Sequence, residues 1–280
     1  MKLLSIILLA LVQGAAELLP VSSSAHVIIT EKLLGLDPTS PEMTFLLVML
    51  HTGTMFAVLI YFWPQWKESL LSPDRRFEFA KSIVIATFWT GAVGIGLKVL
   101  LEKVILKDEI ESLFGKLPLI ALALFLVGAL IVIAGLREDP KARGALDASR
   151  SSWIGVIQGL CLPFRGFSRS GATISVGLLQ KISRETAEQF SFALAVVLTP
   201  PVLLLELHRL LKSAPAEMIR QVGVFHLVRD GLVGMGFSFA AGLLALRWLS
   251  AWLEKGRWKY FGYYCLFASV VVFIISLKSN

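Results

Sequence analysis

The stretch LPLIALALFLVGALIVIAGL, residues 117–136, decides the class of the fold because it is long, apolar and free of charge. An α-helix of about 20 residues rises roughly 30 Å, which matches the thickness of a bilayer's hydrocarbon core. Five further apolar runs of similar length occur at about 43–63, 82–101, 188–208, 230–252 and 260–277. The sequence therefore predicts an all-α polytopic membrane protein with about six transmembrane helices.

The composition agrees with one membrane domain over residues 1–280. Of the 280 residues, 56% are hydrophobic and only 17% are charged, against about 45–50% and 25% in soluble domains. The net charge of +7 is typical of loops that face anionic lipid and set membrane orientation. No basic stripe is interleaved with aromatics, so we expect membrane lipids and not nucleic acid as partners.

Two other apolar segments, residues 3–30 and 153–180, are interrupted midway by Gly, Pro, Ser and charged residues. Interrupted backbone at membrane depth is tolerated where it lines a cavity or is buried in protein. We therefore predict that both segments are re-entrant or broken helices.

The broken segments are related to each other by an offset of 145 residues. This offset aligns Gln13-Gly14 with Gln158-Gly159 and Ser23 with Ser168, and it also aligns the phenylalanines Phe45 and Phe190. We predict pseudo-repeats over about 1–136 and 146–280. With one broken segment entering from each side, the repeat has inverted topology, and a site is expected where the broken helices meet.

The polar linkers predict the orientation. Linkers 64–81, 137–152, 181–187 and 254–259 carry thirteen Lys and Arg residues, against seven in 102–116 and 209–229. The positive-inside rule then places the first set in the cytoplasm and both termini outside.

The first broken segment contains a polar cluster, QGAAELLPVSSSAH, residues 13–26. Gln13 and Glu17 are four residues apart and share a helical face. Pro20 ends that helix, and Ser22, Ser23 or Ser24 could cap the next one. His26 follows within one helical turn of Ser23. Ionisable side chains at membrane depth mark functional sites by default.

The second broken segment contains PFRGFSRSGAT, residues 163–173. Arg169 offers a planar fork of donors that matches phosphate, and hydroxyls come from Ser168, Ser170 and Thr173. If a helix begins after Gly171, its N-terminal amides would add an anion site. The two clusters together supply the parts of a phosphoryl-transfer site.

Structural roles are the alternative for each of these residues. The serines could be helix caps only, His26 a hydrogen-bonded structural histidine, and Glu17 with Arg169 an ion pair that joins the broken helices. His51 lies in an apolar span beside Thr52, and we expect it to make a packed polar contact without a catalytic role.

Residues 13–26 and 166–173 closely resemble the two signature motifs of the undecaprenyl-diphosphate phosphatase, or bacitracin-resistance, family. The resemblance extends over nearly the whole chain and includes His51 to Thr54. It implies a bacterial inner-membrane enzyme that hydrolyses undecaprenyl pyrophosphate to undecaprenyl phosphate, with a site opening to the periplasmic side. It also implies recycling of the lipid carrier for cell-wall synthesis, bacitracin resistance, and dependence on a divalent cation, magnesium or calcium.

Carried over by position, the family's acidic pair falls on Gln13 and Glu17, its serine on Ser23, its histidine on His26 and its phosphate-binding arginine on Arg169. We expect Arg169 to clamp the pyrophosphate, and Ser23 to be the nucleophile or a hydrogen-bond donor. His26 is then the general base or acid, and Glu17 orients His26 or ligates the metal, with Gln13 as an optional second ligand. The expected phosphate-binding residues are Ser22, Ser24, Ser168, Ser170, Thr173 and Arg165.

Three residues depart from the family pattern. Gln13 stands where many relatives have Glu, which puts a two-carboxylate metal site in doubt. Arg165 replaces a proline and adds a second cation beside Arg169, and Ala25 replaces a glycine before the histidine.

Two other functions use the same parts. A flippase for the lipid carrier would need an anion site between broken helices but no nucleophile. A non-catalytic binder of the polyprenyl pyrophosphate would need only the clamp. The oligomeric state is left open, with a homodimer among the options.

Overall fold

The computed structural model describes residues 2–37, 40–106, 113, 116–213 and 224–278. Residues 107–112, 114–115 and 214–223, which belong to two predicted linkers, lie outside this part. The described chain forms ten α-helices and no β-strand. In chain order they are α1 Leu3–Leu18, α2 Ser23–Leu33, α3 Pro41–Leu71, α4 Pro73–Leu100, α5 Leu117–Arg137, α6 Ala148–Cys161, α7 Arg169–Leu179, α8 Arg184–Ser213, α9 Val224–Glu254 and α10 Trp258–Lys278. A single π-helical turn, Leu101–Leu106, extends α4.

Six of these helices are long and apolar enough to cross a membrane, which confirms the predicted fold class. The candidate spans are Pro41–Glu68, Arg76–Val104, Leu117–Arg137, Arg184–His208, Phe225–Glu254 and Trp258–Leu277. The four short helices α1, α2, α6 and α7 correspond to the two broken segments. Helices α6 to α10 also follow the order of α1 to α5, two short helices and then three long ones.

Proline chemistry explains the break between α1 and α2. A residue before proline is pushed out of the α region, and Leu19, before Pro20, has φ −73° and ψ 149°. The chain then turns through Ser22, whose φ of 69° is uncommon for a residue other than glycine. Ser22 is the residue before α2, although its side chain makes no capping hydrogen bond.

The second break, between α6 and α7, depends on Gly166. Its φ is 99°, a backbone conformation that glycine adopts far more readily than other residues. A Cβ atom here would lie 2.6 Å from the carbonyl oxygen of Ile120, so α5 packs directly on the turn. Ser168 then caps α7 by accepting a hydrogen bond from the Gly171 amide at 3.2 Å.

Two helix ends differ from the positions considered from the sequence. Helix α7 begins at Arg169 and not after Gly171, because Ser168, the residue before Arg169, caps the helix. Helix α3 runs on to Leu71 through Pro64, where the sequence predicted an end near residue 63. Proline within a membrane helix is tolerated when neighbouring groups satisfy the carbonyl it frees.

Glycines let each broken segment pack closely on a long helix. Helix α1 packs on α9, where a Cβ on Gly14 would lie 2.5 Å from the Ser238 carbonyl oxygen. Helix α6 packs on α4, where a Cβ on Gly155 would collide with the backbone of Ala86. The two broken segments are therefore held in the same way, each against a span of the other half.

The ends of several helices meet on one side of the molecule. Arg184 at the start of α8 donates to Glu138 at the end of α5, with Nη2 2.6 Å from Oε1. Its Nη1 also donates to the Glu254 carbonyl oxygen at the end of α9. Linkers 137–152, 181–187 and 254–259, which the charge count assigns to one side, therefore lie together.

Candidate active site

Glu17 lies at the centre of the polar cluster, in the last turn of α1. Its Oε2 accepts a hydrogen bond from Ser23 Oγ at 2.6 Å and one from Gln13 Nε2 at 3.2 Å. The contact with Gln13 is the one that the four-residue spacing predicts. One oxygen of Glu17 thus accepts from both an amide and a serine hydroxyl, and the hydroxyl directs its proton at the carboxylate.

Two nitrogen-containing side chains face the same carboxylate from other helices. Arg169 Nη2 of α7 lies 3.7 Å from Glu17 Oε1, and His51 Nε2 of α3 lies 3.7 Å from Oε2. The side chains of Glu17 and Arg169 are about one fifth exposed, so their charges stand in a poorly solvated place and need each other. The site joins helices α1, α2, α3 and α7.

Ser23 and Arg169 are the first residues of α2 and α7. The first amides of a helix have no partner within it, and the helix dipole makes that end positive. Both broken helices therefore begin at the site. This arrangement suits a bound anion such as phosphate.

Thr173 and Ser191 fix the position of Arg169. Arg169 Nη1 lies 3.5 Å from the Ser191 carbonyl oxygen, at the limit of a hydrogen bond. Thr173 Oγ1 donates to the Arg169 carbonyl oxygen at 2.8 Å and lies 2.6 Å from Ser191 Oγ. Ser191 of α8 thus fixes both the backbone and the side chain of the arginine turn.

The other hydroxyls predicted to bind phosphate are engaged within the protein. Ser168 caps α7, and its Oγ lies 3.5 Å from Ser170 Oγ. Ser24 Oγ accepts from the Gly166 amide at 3.2 Å and lies 3.3 Å from Ser22 Oγ. These contacts stabilise the two turns and join one turn to the other.

Arg165 is exposed at the second turn. It lies close enough to Glu31 of α2 for their charges to interact, and Glu31 is only 2% exposed. The cation that departs from the family pattern therefore has an acidic neighbour on α2.

His26 is placed differently from the prediction. Its Nδ1 contacts the Ser22 carbonyl oxygen at 2.8 Å, and its Nε2 lies within hydrogen-bond distance of Tyr264 Oη on α10. Glu17 contacts Ser23, so the expected orientation of His26 by Glu17 is replaced by one that Tyr264 provides. Ser23 directs its proton at Glu17 and not at His26.

His51 makes the packed polar contact that the sequence predicts, and it also faces Glu17, which sequence reasoning missed. Its Nδ1 contacts the Leu47 carbonyl oxygen at 2.8 Å, which turns Nε2 towards Glu17. The approach of His51 to Glu17 could have been suspected from the sequence, because an imidazole within an apolar span is as costly as one in a broken segment.

The donor set fits a divalent cation that is shared with substrate phosphate. Among the described residues no three His, Cys, Asp or Glu side chains form a metal cluster. Magnesium is often bound by one or two carboxylates together with substrate phosphates. Glu17 provides one carboxylate, and the Gln13 amide that points Nε2 at it leaves its oxygen as a second donor.

Comparison with known proteins adds a family and named relatives. The family model described as "Bacitracin resistance protein BacA" matches residues 6–271. A protein of Acinetobacter baylyi named undecaprenyl-diphosphatase 2 is 52% identical over 286 residues, which cover 99% of both chains. Proteins named undecaprenyl-diphosphatase from Rhodopirellula baltica and Halothermothrix orenii are 30% and 28% identical, again over 99% of both chains.

Proposed function

This chain belongs to the bacitracin resistance protein BacA family, and we propose that it hydrolyses undecaprenyl pyrophosphate to undecaprenyl phosphate and inorganic phosphate. The observation that carries the proposal is the 2.6 Å hydrogen bond from Ser23 Oγ to Glu17 Oε2 beside the Arg169 guanidinium. A hydroxyl in contact with a base and a cation is the arrangement that nucleophilic phosphoryl transfer requires.

In the first step, Ser23 Oγ attacks the terminal phosphorus of the lipid. Its proton passes to Glu17, the P–O bond to the bridging oxygen breaks, and undecaprenyl phosphate leaves with that oxygen. In the second step, water attacks the phosphoserine, the P–Oγ bond breaks, and inorganic phosphate is released. Glu17 returns its proton to Ser23 Oγ, and His26 accepts the proton of the attacking water and then releases it to solvent.

Arg169 and the two helix ends stabilise the charge on the transferred group. The 3.7 Å separation between Arg169 Nη2 and Glu17 Oε1 exceeds a direct hydrogen bond, so the guanidinium can turn to a phosphate without breaking a tight pair. The amide ends of α2 and α7, where each helix dipole is positive, add stabilisation from both sides.

A magnesium or calcium ion completes this proposal. Glu17 and the side-chain oxygen of Gln13 would hold it together with phosphate oxygens. When bound, such an ion supplies positive charge that offsets the negative charge of the pyrophosphate. The single carboxylate makes the substrate itself a necessary part of the cation's binding site.

The experiment measures phosphate release from undecaprenyl pyrophosphate by the purified protein in detergent with magnesium or calcium. Ser23→Ala and Glu17→Gln should each lower kcat by about 100-fold or more, since both lose the first step. Glu185→Gln, at an exposed carboxylate of α8, is the control and should keep wild-type turnover. Acid-quenched enzyme should contain phosphoserine at position 23.

Two results would contradict parts of the proposal. Substantial turnover by Ser23→Ala would assign the attack to water and leave Ser23 as a donor. No phosphate release by folded wild-type protein that binds the lipid would favour the carrier or the non-catalytic binder. The meeting of two broken helices is an arrangement also found in transporters, so movement of labelled lipid across vesicles should be measured alongside.

A further inference from the structure

The two nitrogens of His26 have different partners, and these partners define their protonation. Nδ1 lies 2.8 Å from the Ser22 carbonyl oxygen. A carbonyl oxygen can only accept, so Nδ1 must carry hydrogen. In the neutral ring Nε2 then has the free lone pair, and the group beside that lone pair is the phenol of Tyr264.

Tyr264 is held in place by the packing of α10 on the first broken segment. The neighbouring Cys265 is fully buried, and its Sγ lies 3.2 Å from the Pro20 carbonyl oxygen. The rings of His26 and Tyr264 are nearly parallel, at 15°, with centroids 5.7 Å apart. Tyr264 is 44% exposed, and Tyr263 beside it is 46% exposed, so burial alone does not explain why one of them contacts the histidine.

We propose that Tyr264 positions His26 and passes to it the proton of the attacking water, a role that rests on the proposed function for its effect on turnover. Its hydroxyl donates to Nε2 and fixes the ring that accepts the proton of the attacking water. The proton of the attacking water reaches Nε2 through this contact: Tyr264 Oη takes up that proton as the phenol hydrogen passes to Nε2, which leaves the phenol neutral and His26 protonated. Catalysis then depends on a residue of the last helix, far from both signature motifs.

The first test compares Tyr264→Phe with Tyr263→Phe, a matched control at the preceding residue of the same helix. Loss of one hydrogen bond that orients a catalytic ring should lower kcat about tenfold in Tyr264→Phe. KM should stay within about twofold, since the phenol acts through His26 and not on the lipid. Tyr263→Phe should match the wild type, and the thermal unfolding of both variants should be compared to exclude misfolding.

Coupling to His26 separates positioning from a general structural role. In a His26→Gln background, adding Tyr264→Phe should cause little further loss of kcat, because the residue it positions is already absent. A full additional tenfold loss in that background would overturn the proposal. So would wild-type kcat in the single variant Tyr264→Phe.

A second readout needs no turnover. Diethyl pyrocarbonate modifies an unprotonated imidazole nitrogen, and in the wild type the Tyr264 hydroxyl occupies Nε2 of His26. Tyr264→Phe should therefore speed modification of His26 several-fold, at roughly the scale of one hydrogen bond, with His226 as an internal reference. An unchanged rate would overturn the proposed contact. If wild-type protein released no phosphate, the proposed function would fail and this comparison would still decide the contact.

Discussion

At the scale of single residues, Glu17 determines what the site can do because four side chains converge on it. A serine hydroxyl and an amide occupy one oxygen, and the nearest guanidinium nitrogen lies 3.7 Å from the other. The same carboxylate can therefore accept a proton, ligate a cation and neutralise Arg169. Its two oxygens can divide these roles between them, so substrate binding changes which oxygen serves each role.

Arg169→Lys is predicted to be severely impaired although it keeps the charge. A lysine has no planar fork, and it cannot reach both the Ser191 carbonyl oxygen and a phosphate in the way the guanidinium does. We expect kcat/KM to fall by about 100-fold or more. Arg229→Lys, at an exposed arginine paired with Asp230, is the control, and turnover by Arg169→Lys within threefold of wild type would contradict the clamp.

Gln13→Glu tests the proposed cation. The variant places two carboxylates where Gln13 Nε2 now lies 3.2 Å from Glu17, and like charges at this distance repel unless a cation lies between them. The apparent magnesium affinity, read from activity against metal concentration, should rise about tenfold. Without metal the variant should unfold at a lower temperature than the wild type.

Gln189→Glu is the matched control for that experiment. Gln189 donates to Glu185 at 3.0 Å with the same four-residue spacing, on an exposed face of α8. It should leave the metal dependence unchanged. An unchanged metal affinity in Gln13→Glu would remove residue 13 from the cation site.

The sequence predicts most residues of the site but not the hydrogen bonds between them. Glu17, Ser23 and Arg169 could be chosen because charge and hydroxyls at membrane depth are costly. The sequence could not predict that Ser23 donates to Glu17 and not to His26, because this hydrogen bond depends on the sharp turn at Ser22.

At the scale of secondary structure elements, the breaks could be predicted and the helix ends could not. Pro20 and Gly166 restrict the backbone locally, so their effect is visible in the sequence. The continuation of α3 through Pro64 depends on neighbouring helices. So does the approach of Tyr264, whose contact joins residues 238 positions apart.

Helix packing gives the prediction at this scale. Gly155→Ala should lower the free energy of unfolding by about 1–3 kcal/mol, because the added methyl group meets the Ala86 backbone of α4. Gly91→Ala on α4 has open space for its Cβ and should be neutral or stabilising by up to about 1 kcal/mol. Unfolding in mixed detergent micelles measures both, and equal stabilities would mean that α4 and α6 can separate easily.

At the scale of the whole molecule, the described contacts place three of the four basic linkers together, but only the charge count indicates on which side of the membrane they lie. Residues 138, 184 and 254 meet at one end, while α1, α3 and α9 start together at the other, where Ile6, Glu42 and Asp230 line one cavity. We propose that the basic end is cytoplasmic and that the site opens to the outer side of a bacterial plasma membrane.

Cysteine labelling tests this orientation. Cys161 and Cys265 are buried, so an impermeant thiol reagent should report mainly on introduced cysteines. In intact cells Lys2→Cys should be labelled and Lys141→Cys, at an exposed position, should be labelled only after permeabilisation. The reverse pattern would place the basic linkers outside.

The near-balance of one carboxylate against one guanidinium has a thermodynamic consequence under the proposed cation requirement. A pyrophosphate brings several negative charges to a site that holds little net charge, so lipid and cation should each strengthen the binding of the other. Linkage requires the two enhancements to be equal. The cation level at the membrane surface would then set how strongly the protein retains the pyrophosphate carrier, and saturating lipid would make a weak cation site behave as a tight one.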